Sequence, residues 1–298
     1  MSTHTIHHVT AVTAKIAENR RFYTGVLGLR LVKKSVNQDD VSAYHLFYAD
    51  RVGTPGTDMT FFDWPRIGPT VPGAGTIGLT SFKISSQSID WWESRLTEVG
   101  AAPDRSETAL RFADPEGQRL ALEVDDGPSL SVPWTAEVPP EHAIRGILGV
   151  DIHSARPDQT RQVLTEILGF TSVDGQNFET QDLERSARVR VPDLTSPTFG
   201  RVGYGGVHHV AFRVADVEEI GTMQRRLDDA GLTNSGLVDR YYFQSLYFRE
   251  PGGILFELAT DGPGFATDEE AATLGERLAL PPFLEGRRAE IERGLKPL

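Results

Sequence analysis

The chain has 298 residues, 39% of them hydrophobic, with a formal charge of −12 and no cysteine. That length suffices for two ordinary domains or several small repeated ones. The acidity argues against a nucleic-acid or anionic-membrane surface, and without cysteine there are no disulfides or thiolate sites, so any metal must be held by His, Asp or Glu.

No apolar run approaches the length of a spanning helix and the N-terminus lacks a signal-peptide core, so a cytoplasmic enzyme is expected. In chain order the elements follow one plan four times. Each time a strand leads to an amphipathic helix closed by a glycine, then to several strands with a glycine-bearing turn before the last. Helices are predicted over Asn19–Leu27, Asp90–Val99, Asp158–Leu168 and Val217–Ala230. Gly28, Gly100, Gly169 and Gly231 follow them, suited to the left-handed residue that stops a helix. In the fourth helix Ile220, Met223 and Leu227 fall at i, i+3 and i+7, a core-facing stripe. The glycines recur at roughly 60 to 70 residues, the length of one small βαβββ unit.

The modules are read as residues 5–64, 76–124, 146–191 and 206–260, with strands near Ser42–Phe47 and Asp58–Phe62 in the first. Residues 125–145, carrying Pro128, Pro133, Pro139 and Pro140, read as an exposed linker. Residues 264–298 read as a tail with a short helix, lying on the surface or packing across a subunit interface. The expected fold class is α+β. One βαβββ module cannot cover both faces of its own sheet, so modules should pair into two half-open, eight-stranded barrels with a cleft inside.

The first and last modules open alike, as Ile6-His7-His8-Val9-Thr10 and Val207-His208-His209-Val210-Ala211-Phe212. The last closes with Arg249-Glu250-Pro251-Gly252-Gly253-Ile254-Leu255-Phe256-Glu257-Leu258, a tight turn feeding a strand with one carboxylate among apolar residues. Such a carboxylate is costly to bury unless something positive meets it. Superposing the modules sets His8 against His209, with Leu79 and Gly149 at that place in the middle two. Glu257 falls on Ala121 of the second module and, when Pro55-Gly56 is aligned on Pro251-Gly252, on Phe61 of the first.

The candidate metal ligands are therefore His8, His209 and Glu257, which meet if the outer modules pair and leave the middle two as scaffold. Two histidines and one carboxylate with open positions suit mononuclear iron(II), with manganese(II) as the alternative. Phe61 in place of a fourth ligand favours an oxygenase over an isomerase, because a metal with three protein ligands can take substrate and dioxygen side by side. His4, His45, His142 and His153 are read as ordinary core or surface histidines, and Trp91 and Trp92 as scaffold core. Neighbours on a regular strand face opposite ways, so either the strand starts are irregular or His7 and His208 lie at the rim. Arg240 is a surface partner of Asp239 or a fixed cation for an anionic phenolate. Tyr247 is core packing or a phenol that donates to substrate.

These segments, together with Asp239-Arg240-Tyr241-Tyr242-Phe243 and Ser245-Leu246-Tyr247-Phe248-Arg249-Glu250-Pro251-Gly252-Gly253, resemble the vicinal oxygen chelate superfamily of glyoxalase I, bleomycin-resistance proteins and type I extradiol dioxygenases. More narrowly they are similar to its hydroquinone-type ring-cleaving dioxygenases, over nearly the whole chain. The resemblance implies that modules 1 and 4 pair, as do modules 2 and 3. It implies that iron(II) is held by His8, His209 and Glu257, and that a para-hydroquinone is opened by O2 beside a hydroxylated carbon. It further implies catalytic roles for His7, His208, Arg240 and Tyr247, with His208 and Tyr247 managing protons and Arg240 stabilising negative charge. The expected partners are a small aromatic substrate and O2, with no nucleic acid or membrane, in a homo-oligomer. Two alternatives remain open to the sequence. A glyoxalase-like isomerase or lyase using nickel, zinc or manganese would need a fourth ligand and consume no oxygen. A non-catalytic binder of a small aromatic drug or toxin would have a cleft without metal.

Overall fold

Apolar alternation along the strands builds two sheets. The computed structural model describes residues 4–180, 182, 184–194 and 198–298. The first sheet takes β1 (Ile6–Thr13), β2 (Arg30–Val36), β3 (Tyr44–Ala49) and β4 (Asp58–Asp63) from the start of the chain. The second takes β5 (Thr76–Ile84), β6 (Asp104–Arg105), β7 (Ala109–Ala113), β8 (Arg119–Val124), β9 (Ile147–His153), β10 (Thr171–Ser172), β11 (Asn177–Glu179) and β12 (Arg188–Arg190). The first sheet is completed by β13 (Gly206–Val214), β14 (Val238–Asp239), β15 (Phe243–Arg249) and β16 (Leu255–Pro263). Its order is β14-β15-β16-β13-β1-β4-β3-β2, and the second sheet runs β10-β11-β12-β9-β5-β8-β7-β6. β1 and β13 meet antiparallel at the middle of the first sheet, each flanked on its outer side by a parallel partner, β4 or β16.

The helices are α1 (Ile16–Arg20), α2 (Ile89–Glu98), α3 (Pro157–Gln162) and α4 (Val217–Asp229). α1 and α3 continue as wide π-turns over Arg21–Val26 and Val163–Ile167, so the two helices expected as uniform each change pitch midway. Gly28, Gly100, Gly169 and Gly231 do take the left-handed conformation, with φ of 70°, 78°, 74° and 70°. α4 is fixed at its start by Asp216, whose side chain accepts from the Glu219 amide at 2.9 Å, while Glu219 accepts from Ala215 N at 2.7 Å. This reciprocal cap satisfies two amides that the helix itself cannot. Ile220, Met223 and Leu227 are its buried stripe.

The main core packs the helices against one face of both sheets, with Val9, Phe61, Phe82, Leu122, Phe212, Phe256 and Leu258 all buried in it. The opposite, concave face of the first sheet forms a half-barrel, filled at one end by Val32, Phe47, Ala211, Phe243, Ala259 and Phe265.

Three expectations change here. The stretch read as an exposed linker is docked in part. Val138 is buried, and Gly28 packs beneath it so closely that a Cβ would lie 2.3 Å from Val138 Cγ2. The tail is not a loose surface helix. Ala279 N donates to Lys34 O at 2.9 Å, and Leu280, Leu284 and Ile291, the last two from α5 (Pro282–Glu285) and α6 (Arg288–Gly294), pack on Val36. The tail thus covers the free edge of β2, which would otherwise expose unpaired backbone. Of the tryptophan pair, Trp92 is core, whereas Trp91 is half-buried and stacks on His142 at 4.7 Å.

Candidate metal centre

The histidine pairs sit at matching irregularities. Ile6 faces Phe212 and His8 faces Ala211, so His7 is an extra residue on β1. Thr10 faces His209 and Ala11 faces Val207, so His208 is an extra residue on β13. A bulge of this kind re-aims side chains without ending the ladder. It answers the conflict with strict alternation, because both members of each pair reach the concave side. His7 is not at the rim. It is buried behind His8, with Nδ1 2.9 Å from His8 Nδ1 and Nε2 3.2 Å from Thr260 O. His208 repeats the contact, Nδ1 to His209 Nδ1 at 2.8 Å, but is half-buried and borders a cavity.

His8, His209 and Glu257 come together, with one ligand atom from each inside 4.8 Å of the others. Regular alternation in β16 delivers the acid, since Phe256 and Leu258 face the core and Glu257 does not. Ser245 Oγ donates to Glu257 Oε1 at 2.6 Å and fixes that oxygen. The other, Oε2, has His8 Nε2 at 3.2 Å and His209 Nε2 at 2.9 Å but no contact with hydrogen-bond alignment. Glu257 is fully buried. Three donors that point to one place, one of them an orphaned carboxylate oxygen, fit a divalent cation. Burial works to raise the Glu257 carboxyl, but His8 and His209 outweigh it and hold it well below the usual carboxylate range. Burial lowers His209, and Glu257 offsets part of that. Burial first, then the adjacent histidine, push both His7 and His208 down to about 3, so both are neutral.

The pairing that carries Glu257 opposite Ala211 in β16 and β13 carries Thr60 opposite Thr10 in β4 and β1. His209 and His8 each stand two residues before these positions. The first-module counterpart of Glu257 is therefore Thr60, not Phe61. Phe61 lies on the helix side, its ring 4.6 Å from Tyr23. The Pro-Gly turn misleads because Pro55 is one residue nearer to this place than Pro251 is. Thr60 Oγ1 lies 2.8 Å from Thr10 Oγ1 and 3.0 Å from His45 Nε2.

A cavity of about 300 Å³ opens on the three donors, at the small end of ligand pockets and sized for one substituted ring. Phe62, Trp64, His45 and Phe47 line it from the β3–β4 side, where the His208 ring meets Phe62 and Trp64 edge to face at 5.5 Å, and Tyr247, Arg240, Asn37, Gln38 and Asp39 line it as well. His45, read as an ordinary histidine, lies in this wall with its ring 4.0 Å from Phe47 and 4.4 Å from Phe62, and burial holds it well below its ordinary value. A lone histidine on an edge-proximal strand carries no sequence signal for that placement. Arg240 Nε donates to Tyr247 Oη at 3.1 Å. Its ion pair is with Asp39, not Asp239, whose Oδ1 instead accepts from Tyr241 N and Gln244 Nε2. Burial disfavours the Arg240 charge, but Tyr247 and Asp39 outweigh it and keep the group above its ordinary range. Burial and then Glu257 raise the Tyr247 phenol, which keeps its proton.

A half-barrel with two histidines and one carboxylate on its concave face defines a class. The model of the Glyoxalase/Bleomycin resistance protein/Dioxygenase superfamily matches residues 5–122 and 86–258, and the chain belongs to that family. Within it, the chain is a ring-cleaving dioxygenase, an oxidoreductase. It is 44% identical, over 100% of both chains, to a Bacillus subtilis (strain 168) protein provisionally named ring-cleaving dioxygenase MhqA. It is 30% identical to the chlorohydroquinone/hydroquinone 1,2-dioxygenase of Sphingobium indicum, over 97% of this chain and 94% of that one. The crystal structure of a protein from Bacillus subtilis, provisionally called a dioxygenase, superposes with a TM-score of 0.91 at 37% identity, covering 100% of this chain and 98% of the other. Glyoxalase I of Zea mays shares the fold, with a TM-score of 0.62 at 14% identity over 87% of this chain and 93% of that one. Among the described residues no helix is long and apolar enough to cross a membrane.

Proposed function

We propose that this enzyme is an iron(II)-dependent, extradiol-type dioxygenase that opens the ring of a hydroquinone or related phenol and leaves both atoms of O2 in the product. The observation that carries the reading is the approach of His8 Nε2 and His209 Nε2 to Glu257 Oε2, at 3.2 and 2.9 Å, in a cavity of single-ring size. His8, His209 and Glu257 would hold the ion, which supplies Lewis acidity toward a phenol and the redox chemistry by which dioxygen reacts with an aromatic ring. Thr60, tied to Thr10 and His45, leaves the place of a fourth ligand to small molecules. This disfavours the isomerase alternative, which needs that ligand.

The chain's own residues orient and protonate. With Nε2 of His8 turned to the metal position, its Nδ1–H donates to His7 Nδ1, and His7 Nε2–H then donates to Thr260 O. His209 Nδ1–H donates to His208 Nδ1 in the same way, which leaves His208 Nε2–H facing the cavity. Tyr247 Oη accepts from Arg240, so its own proton is free to be donated to a substrate or product oxygen. Phe62, Trp64 and Phe243 exclude water and offer ring faces to an aromatic guest. The reading is supported by a 30% identical relative whose name gives hydroquinone as its substrate. Heavy-isotope dioxygen supplied with hydroquinone tests it: a ring-opened product carrying both labelled atoms is expected, and an intact ring without oxygen uptake would overturn it.

A further inference from the structure

Charge in the cavity wall is distributed in a way that bears on which aromatic compounds enter. Among the described lining residues Arg240 is the single arginine or lysine, so it brings the fixed positive charge to the cavity. The buried Lys33 lies outside it and is taken up by Asp268, at 2.7 Å, and by Glu269. Arg240 is itself engaged by Asp39, Nη1 to Oδ1 at 3.2 Å and Nη2 to Oδ2 at 3.0 Å, a fork-to-fork pair.

The pair joins the two halves of the cleft and is built with care on both sides. Asp39 is fixed by its amide, which donates to Asn37 Oδ1 at 2.9 Å. Gln38 Nε2 donates to Arg240 O at 2.8 Å. The next residue, Tyr241, takes φ of 70°, and Tyr242 N reaches back to Arg240 O at 2.9 Å, closing a strained three-residue turn. Asp39 is 73% exposed at its side chain, and an exposed pair of this kind adds little stability. Its consequence lies in the cavity, where the face of the guanidinium that would clamp a substrate carboxylate is already filled.

We infer that Asp39 is a specificity-determining residue: by occupying the Arg240 fork it makes the cavity select uncharged phenols and hydroquinones over ring compounds bearing a carboxylate. The inference rests on the ring-cleaving reading above and deepens it. Asp39 acts through Arg240 and touches no reacting atom.

The test compares binding of 4-hydroxybenzamide and 4-hydroxybenzoate, matched in shape and different in charge, to the metal-loaded enzyme by calorimetry without oxygen. Wild-type enzyme is expected to favour the amide. Asp39→Asn, which keeps the shape and removes the charge, should shift the amide-to-carboxylate ratio toward the carboxylate by about tenfold, equivalent to about 1.4 kcal/mol. Asp39→Glu should hold the wild-type ratio. A ratio unmoved by Asp39→Asn, or moved as far by Asp39→Glu, overturns the assignment. Oxygen uptake with hydroquinone, measured on the same wild-type preparation, judges the ring-cleaving reading separately.

Discussion

Thr60 stands opposite Thr10 as Glu257 stands opposite Ala211, so the half-site that β1 and β4 contribute has a hydroxyl where its counterpart has a carboxylate. That one difference leaves three candidate metal donors, His8, His209 and Glu257. Thr60→Glu should close it. The expected enzyme retains metal but loses oxygen uptake with hydroquinone by at least about 100-fold, since substrate and dioxygen then lack adjacent positions. Metal content and an oxygen electrode together check this; undiminished uptake with metal bound would show that position 60 does not face the ion.

Tyr247 keeps its proton because burial and Glu257 disfavour the phenolate, and Arg240 occupies one of its lone pairs. Tyr247→Phe should lower kcat by roughly 10²-fold, the lower end of general-acid contributions, with little change in KM. Steady-state oxygen consumption separates the two parameters. A rise in KM at constant kcat would reassign Tyr247 to substrate binding.

His7 and His208 make the same contact to a candidate ligand but differ in what lies beyond it. His7 is anchored to Thr260 O away from the cavity, whereas His208 borders the cavity. His7→Leu should weaken metal affinity by roughly 10- to 100-fold, the usual cost of losing an orienting partner. His208→Leu should reduce turnover more than metal retention. Competition with a chelator measures the first and single-turnover oxygen uptake the second; equal effects from both would remove the distinction.

Asp114, in the turn that follows β7, accepts the amides of Glu116 and Gln118 and the Tyr23 hydroxyl. Burial raises its carboxyl to about 6, with those hydrogen bonds opposing. Because the folded value lies above the unfolded value of about 3.9, the folded state keeps a proton that the unfolded state releases. The contribution is complete below about pH 4 and is lost as pH rises through about 6, on the order of 3 kcal/mol. Asp114→Asn keeps the acceptor oxygen and should flatten that part of the stability curve. Chemical denaturation at pH 4, 5, 6 and 7 reads the difference, and parallel curves for the two proteins would contradict it.

Much of the site is legible from residues because chemistry and repetition coincide there. His8 and His209 open two like strands, and Glu257 sits in an apolar run where an unpaired acid is costly. Helix ends are legible for the same kind of reason, since Gly28 and its three counterparts answer a conformational demand that few other residues meet. What the sequence hides are offsets and distant meetings. Bulges at His7 and His208 are invisible to a period-two reading. A one-residue difference after the Pro-Gly turns moves the fourth position from Phe61 to Thr60. Asp39 and Arg240 are 201 residues apart, and nothing local to either marks the other as its partner. The tail has amphipathic helices, but the β2 edge that they cover is identified by the sheet order.

We propose that His8, His209 and Glu257 together hold one catalytic ion. The most direct measurement is metal content per chain, paired with oxygen uptake on hydroquinone, for wild-type enzyme and for Glu257→Gln. About one iron per wild-type chain with active uptake is expected, and loss of both in the variant. A Glu257→Gln protein that is folded, keeps its iron and consumes oxygen at the wild-type rate would contradict it.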